Sequence, residues 1–182
     1  MNTESFSKTK FGKAFIKLLA KAMESKFRYR FYHPNKILNG VRDLIGLTVL
    51  EIGCGTGFFT IPIANLIGDK GSLTSIDILQ ESVDLVSQKA EKANLKNVNI
   101  LKRDTLNTEF QPVSFDIVIL FGIVPAPMLS LNQVLTEIHR ILKPNGVLSV
   151  WPPIPGLQKS IQKSTLFLIE NKKNNVLNFL KN

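Results

Sequence analysis

Two spacings of apolar residues alternate along the chain. The first is a short, mainly apolar run. Val49, Leu50 and Ile52 belong to one, Phe115 to Phe121 form another, and the longest unbroken stretch lies near Ile117 to Val124. A run without polar alternation predicts a strand covered on both faces of a parallel sheet. Residues 72–77, 98–102 and 147–151 predict three further strands. The second spacing is helical. Leu79, Val83, Val86 and Ala90 share one face of a helix predicted over residues 79–94, and residues 131–142 predict another. Phe58, Phe59, Ile61, Ile63, Ala64, Leu66 and Ile67 predict a buried helix behind the first strand, closed by Gly68 and Gly71.

Breakers divide these elements. Lys143, Pro144, Asn145 and Gly146 predict a helix stop followed by a turn before the fifth strand. Pro152, Pro153 and Pro155 interrupt the chain after it. A short helix over residues 158–163 comes next, and then a hairpin of residues 165–170 and 176–180 around Asn174-Asn175. Strands alternating with helices predict an α/β fold: a doubly wound, mostly parallel sheet ending in a C-terminal antiparallel hairpin.

The N-terminal stretch differs from this body. Phe11, Ala14, Phe15, Leu18, Leu19, Ala22 and Met23 make an amphipathic helix over residues 10–23, with Lys10, Lys13, Lys17 and Lys21 off the stripe. Phe27, Tyr29 and Phe31 then alternate with Lys26, Arg28 and Arg30. His33-Pro34 is a helix breaker, and Asn39-Gly40 marks a turn. The division expected is a basic helical arm or lid over residues 1–42 and the main α/β domain over residues 43–182.

Charge sharpens that division. The net charge is +9, yet residues 1–42 hold ten lysines and arginines against only Glu4 and Glu24. The arm carries the charge and the body is close to neutral. Three uses are open to it: a helix packed on the domain with solvated lysines, a lid over the site, or a surface for an anionic membrane or RNA. At 182 residues the chain forms one globular body with a sizeable core. Cys54, the single cysteine, excludes an internal disulfide and fits a reducing compartment. No apolar run approaches the roughly 20 residues of a membrane span, and the first ten residues lack a secretory core. A soluble, cytoplasmic protein is expected.

Candidate chemistry gathers where strands end. The stretch VLEIGCGTG places Gly53, Gly55 and Gly57 at alternate positions after the first strand. Asp77 ends the second strand and Asp104 stands after the third. Ligands of doubly wound sheets sit outside the carboxyl ends of the strands. A carboxylate there accepts from both hydroxyls of a ribose, and a second accepts from an exocyclic amine. Ile78 and Leu106 offer apolar faces to a ring between them. The alternative is that Asp77 and Asp104 only cap the helices next in the chain. The glycine spacing departs from the dinucleotide pattern, since Phe58 stands where the third glycine belongs. Glu51 suits an amine and not a pyrophosphate. The ligand expected is a nucleoside bearing an ammonium and a carboxylate, without phosphate.

At this point the sequence resembles a known family. VLEIGCGTG, SID ending at Asp77, RDTLN around Asp104, FDIVILFG, and LTEIHRILKPNGVLSV are similar, in order, to the motifs of class I S-adenosylmethionine-dependent methyltransferases. The quinone-biosynthesis type is the most similar. The resemblance implies a Rossmann-like methyltransferase fold, S-adenosylmethionine as cofactor, and methyl transfer by in-line displacement. It implies that Gly53, Cys54, Gly55 and Gly57 back the methionine part of the cofactor while Glu51 steers its amino group. Asp77 would hold the ribose and Asp104 the adenine amine, with Ile78 and Thr105 beside them. Phe121 and Gly122 would line the methionine pocket.

The acceptor is less defined. Phe121-Gly122-Ile123-Val124-Pro125-Ala126-Pro127 replaces the Asn/Asp-Pro-Pro-aromatic pattern of amine-directed members, and no Pro-Cys pair is present. The apolar wall favours a small-molecule or lipid-like acceptor. Cys54 sits where a small residue is required, which disfavours it as a nucleophile. His33, Tyr29 or Tyr32 faces the acceptor if the arm covers the site, whereas His139 reads as a packing residue. Three alternatives stay open: an rRNA or tRNA methyltransferase using the arm, a nicotinamide-dependent oxidoreductase, and a non-catalytic S-adenosylmethionine-binding module. No catalytic base, metal ligand or oligomeric state is assigned.

Overall fold

The computed structural model describes residues 32–122 and 130–182. The helix expected over residues 10–23, the basic-aromatic alternation through residue 31, and Pro125 to Pro127 lie outside the described residues. The elements, in order, are α1 (Pro34–Leu38), β1 (Thr48–Ile52), α2 (Thr60–Ile67), β2 (Ser72–Asp77), α3 (Gln80–Lys92), β3 (Val98–Lys102) and β4 (Phe115–Phe121). They continue with α4 (Leu131–Ile141), β5 (Leu142–Trp151), α5 (Leu157–Lys163), β6 (Phe167–Lys173) and β7 (Val176–Lys181).

The strands form one sheet in the order β3-β2-β1-β4-β5-β7-β6. The pairs from β3 through β5 are parallel, and β7 runs antiparallel to both β5 and β6. The chain winds outward from β1 to β3, then returns to lay β4 on the other side of β1. That reversal opens a crevice at the carboxyl ends of β1 and β4.

The pleat sorts the apolar runs into two core layers. Leu50, Ile52, Val118, Leu120, Leu148 and Val150 pack with Leu135, Ile138 and Ile141 of α4 and with Ile161 of α5. Their neighbours Val49, Ile117, Ile119, Phe121 and Val147 turn to the other face and pack against Ile63, Ala64 and Ile67 of α2. Successive side chains point to opposite faces, so helices on both sides require an apolar residue at nearly every strand position. Each fully buried aliphatic side chain contributes roughly 1.5–3 kcal/mol. Ile37, Leu38 and Val41 join the second layer. Asn178 Nδ2 secures that segment by donating to the Gly40 carbonyl at 2.8 Å.

Most expected elements match within a residue or two, β6 ends three residues past its expected limit, and three further features differ. The turn expected at residues 143–146 is part of β5, which starts directly at the end of α4. Phe115 pairs with Leu142 and Ile117 with Val147, so Lys143 to Gly146 stand opposite Asp116 alone as a bulge. Pro144 has no N–H for the ladder, and Asn145 takes φ +60°, so the extra residues loop out while the pairing resumes on either side. Lys143 Nζ reaches Asp116 Oδ2 at 2.9 Å across the bulge. Pro34 starts a helix here, standing at the first turn of α1 where a missing N–H costs nothing. The helix after the glycines begins at Thr60 and not at Phe58, because Gly57 N–H donates to the Cys54 carbonyl at 2.8 Å and holds the preceding residues in a turn. Among the described residues no helix is long and apolar enough to cross a membrane.

Candidate functional site

The turn between β1 and α2 is fixed from the neighbouring strand. Gly53 N–H and Cys54 N–H both donate to the Ile76 carbonyl, at 2.7 and 3.1 Å. Gly55 N–H donates to Asp77 Oδ2 at 2.9 Å, with Gly55 at φ +53°. A β-carbon at that φ is strained, so glycine is the residue this latch accepts without cost. Asp77 Oδ1 accepts from Leu79 N–H at 3.0 Å. Burial pushes the Asp77 carboxyl above its ordinary range, against the pull of the backbone N–H groups of Leu79, Gly55 and Ile78.

Glu51 lies beneath the turn, 2% exposed. Thr60 Oγ1 donates to its Oε2 at 2.6 Å, and Ser75 Oγ donates to the same oxygen at 2.7 Å. Burial pushes its pKa up to about 7, opposed by those two hydroxyls. Glu51 therefore stands near the midpoint between acid and carboxylate at neutral pH, and an approaching cation would ionise it. Thr56 adds an unmet group. Its Oγ1 is buried and has no hydrogen-bond partner among the described residues. Cys54 is buried, and desolvation together with the Asp77 and Glu51 carboxyls pushes its thiol far up. That environment opposes a thiolate nucleophile.

The remaining expected residues flank this turn. Ile78 is half-buried after β2. Asp104 is exposed, and its Oδ1 accepts from Leu106 N–H at 2.9 Å in a tight turn, with Thr105 half-buried inside it. The helix-capping role left open for Asp77 and Asp104 is not found: β4 and no helix follows Asp104, and α3 has Leu79 at its cap position without a side-chain cap bond. Each Asp104 carboxylate oxygen keeps further acceptor capacity. Phe121 ends β4 on the opposite side of the turn, its ring 5.0 Å from that of Phe59. A cavity of about 520 Å³ lies behind the turn, between α1, α2 and α3. Thr56 and Gly57 border it and Asp77 and Phe121 do not, so it is separate from the crevice.

Of the two histidines, His139 packs edge-on against Phe167 with ring centroids 5.7 Å apart, remote from the turn. Tyr32 lies against Trp151 at 5.8 Å. The sequence pattern did not reveal Thr60 and Ser75 as the partners of Glu51, nor Phe59 and Trp151 as aromatic neighbours of Phe121. One signal was available for the first pair: a buried acid needs donors, and Ser75 is one of the hydroxyl residues of the strand expected beside Glu51.

With this geometry in view, comparison with known proteins places the chain. Residues 45–175 match the model of a family described as a methyltransferase domain. The demethylmenaquinone methyltransferase of Lactobacillus johnsonii is 32% identical over 135 residues, covering 73% of this chain and 52% of that protein. The Lactococcus lactis enzyme of the same name is 30% identical over 112 residues, covering 61% of this chain and 44% of that protein. The chain thus spans about half the length of these relatives. Among solved structures, a SAM-dependent methyltransferase from Aquifex aeolicus superposes with TM-score 0.75 at 21% identity, over 89% of this chain and 95% of that one. A protein from Methanococcus maripaludis superposes with TM-score 0.73 at 18% identity, over 96% and 94%. These structural likenesses speak to the fold.

Proposed function

The chain belongs to the methyltransferase-domain family, and from that membership we propose that it binds S-adenosylmethionine at the glycine turn and directs the methyl group to a small, apolar acceptor of the reduced-quinone kind. The observation that carries this reading is the Gly55–Asp77 latch at the switch point of the sheet. It leaves Gly53 and Gly55 half-buried at the crevice with no side chain in the way, a half-buried carboxylate at the rim and a second beneath.

The residues fit such a cofactor. Asp77 keeps acceptor capacity on both oxygens for vicinal ribose hydroxyls. Glu51, with its pKa near 7, offers negative charge to an ammonium without holding a full buried charge beforehand. Ile78 supplies apolar surface for a ring beside Asp77, and Asp104 and Thr105 stand at the far rim, where the adenine amine would lie. When bound, the cofactor supplies a methyl group already activated on a sulfonium. The protein's share is therefore alignment of the acceptor and exclusion of water, with Phe121 forming the dry wall on the β4 side.

The acceptor class is supported by the names of the relatives and by the apolar surroundings of Phe121 and Trp151. Isothermal calorimetry with S-adenosylhomocysteine tests the cofactor, with saturable one-to-one binding expected. Absence of binding by both S-adenosylhomocysteine and S-adenosylmethionine would sink the reading. Transfer of labelled methyl into 1,4-dihydroxynaphthalene, with an RNA pool as the competing substrate, tests the acceptor class. Label appearing only in RNA would replace it.

A further inference from the structure

A continuous row of aromatic rings leads away from the glycine turn. Phe58 and Phe59, directly after it, stand 4.9 Å apart between centroids. Phe59 meets Phe121 of β4 at 5.0 Å and Trp151 of β5 at 5.8 Å. Phe121 and Trp151 are 6.2 Å apart, and Trp151 meets Tyr32 at 5.8 Å. Four separate parts of the sequence converge on this row.

Exposure grades along it. Phe58, Phe59 and Phe121 are buried, Trp151 is half-buried, and Tyr32 is 53% exposed. Pro152, Pro153 and Ile154 continue from Trp151 as a half-buried apolar shelf. Core packing accounts for the inner rings. Beyond them, half-buried Trp151 and exposed Tyr32 touch each other and present one contiguous aromatic surface at the solvent end of the row. The row lies at the carboxyl ends of β4 and β5, across the crevice from Asp77 at the end of β2. It begins at the cofactor turn and opens to solvent on the side that a nucleoside held by Asp77 leaves vacant.

We propose that Trp151 and Tyr32 are the specificity-determining wall for the methyl acceptor, receiving a flat aromatic ring at the solvent end of the row. This rests on the methyltransferase reading above. Aromatic rings prefer edge-to-face or offset contact with one another, and the row offers both faces and edges. The Trp151 indole N–H and the Tyr32 hydroxyl add two polar handles within an otherwise apolar surface. A reduced quinone has the matching form: a flat apolar ring with oxygen at its rim. A tail on such a ring leaves over the proline shelf toward solvent.

Trp151 is the only tryptophan of the chain, so its fluorescence reports on this place alone. The protein saturated with S-adenosylhomocysteine is titrated with 2-methyl-1,4-naphthoquinone, an electron-accepting ring that quenches indole on contact. Saturable quenching is expected, with the apparent affinity about fivefold weaker in Tyr32→Ala. Tyr32 is largely exposed, so its removal leaves the fold intact, and calorimetry should return unchanged S-adenosylhomocysteine binding in the variant. Linear, non-saturating quenching, or equal affinity in both proteins, overturns the proposal while leaving the cofactor reading standing. Trp151→Leu supplies a second measurement, since KM for 1,4-dihydroxynaphthalene should rise about tenfold with S-adenosylhomocysteine affinity retained. An unchanged KM also overturns the proposal. Failure of the wild-type protein to bind S-adenosylhomocysteine is a separate result, and it strikes the underlying reading instead.

Discussion

Gly55 N–H and Asp77 Oδ2, 22 residues apart in sequence, meet at 2.9 Å. This bond joins the loop after β1 to the last residue of β2. One side chain thereby sets the path of the turn and is itself held at the rim of the crevice.

Asp77→Ala removes both uses at once. The freed Gly55 and Leu79 N–H groups lose a charged acceptor, at a cost of about 1–3 kcal/mol of stability in urea denaturation. Affinity for S-adenosylhomocysteine should fall by tenfold or more, because hydrogen bonds to a charged group contribute roughly 1.5–3 kcal/mol. Asp77→Asn, which keeps one oxygen acceptor, should retain more stability than affinity. Unchanged affinity in Asp77→Ala would remove this residue from the cofactor site.

Glu51 makes stability depend on pH in a defined direction. Its folded pKa of about 7 exceeds its ordinary value of 4.5, so the native chain holds the proton more tightly than the unfolded chain. Its contribution is fully present below pH 4.5 and is lost as pH rises through about 7, a loss of about 3 kcal/mol in all. Glu51→Gln removes that loss. The stability difference between variant and wild type should therefore climb in favour of the variant from about pH 5 to pH 8. A difference curve flat across that window would show that Glu51 does not hold its proton.

Gly57 is both strained for other residues and closely approached. It adopts φ +80°, and an added β-carbon would lie 3.3 and 3.4 Å from the two Val86 methyl groups of α3. Gly57→Ala should cost about 1–2 kcal/mol, lowering Tm by about 2–8 °C. Val86→Ala in the same chain relieves the contact and leaves the backbone strain. Its coupling to Gly57→Ala, measured in a double-mutant cycle, should be favourable and incomplete. Strict additivity would remove the contact from the account.

Glu137 holds the segment after β3 to helix α4. It accepts from Arg140 Nε at 2.8 Å and Nη2 at 2.7 Å, and from Thr108 N–H at 3.0 Å, with Thr108 Oγ1 donating as well. Arg140 foremost, then Thr108, draw its pKa down to about 2. This stabilisation is present above the ordinary value of 4.5 and disappears as pH falls toward 2. Glu137→Ala strands the buried Thr108 donors and should cost about 3 kcal/mol in chemical denaturation near neutral pH. It should also flatten the acid limb of the stability curve, and a variant with an unaltered acid limb would contradict the assignment.

Local pattern made much of this legible. β2, β3 and β4 begin and end at the expected residues: β4 because its apolar run, covered on both faces, marks its own boundary, and β2 and β3 because short runs bounded by turn residues mark them. The hairpin at Asn174-Asn175 was equally clear, since both residues take positive φ, which asparagine tolerates. The bulge at Lys143 to Gly146 was not. A proline and a glycine announce a turn, and only the pairing of Phe115 with Leu142 shows that the strand has already started. The helix cap weighed for Asp104 was not met either, since a tight turn closed by its bond to Leu106 N–H, and then β4, follow β3 in place of a helix.

Residue order alone specifies the strands, the helices between them, and the glycine turn with an acid on either side. These depend on periodicity and on backbone conformations that few residues can adopt. Folding in three dimensions supplies the contacts that no window of sequence contains. It brings Ser75 and Thr60 onto one oxygen of Glu51, latches Gly55 to Asp77, and assembles Tyr32, Phe59, Phe121 and Trp151 into one row. Each of those contacts joins residues from different elements. Their chemistry is set by burial and by distance across the sheet, and both come into being only when the strands pair.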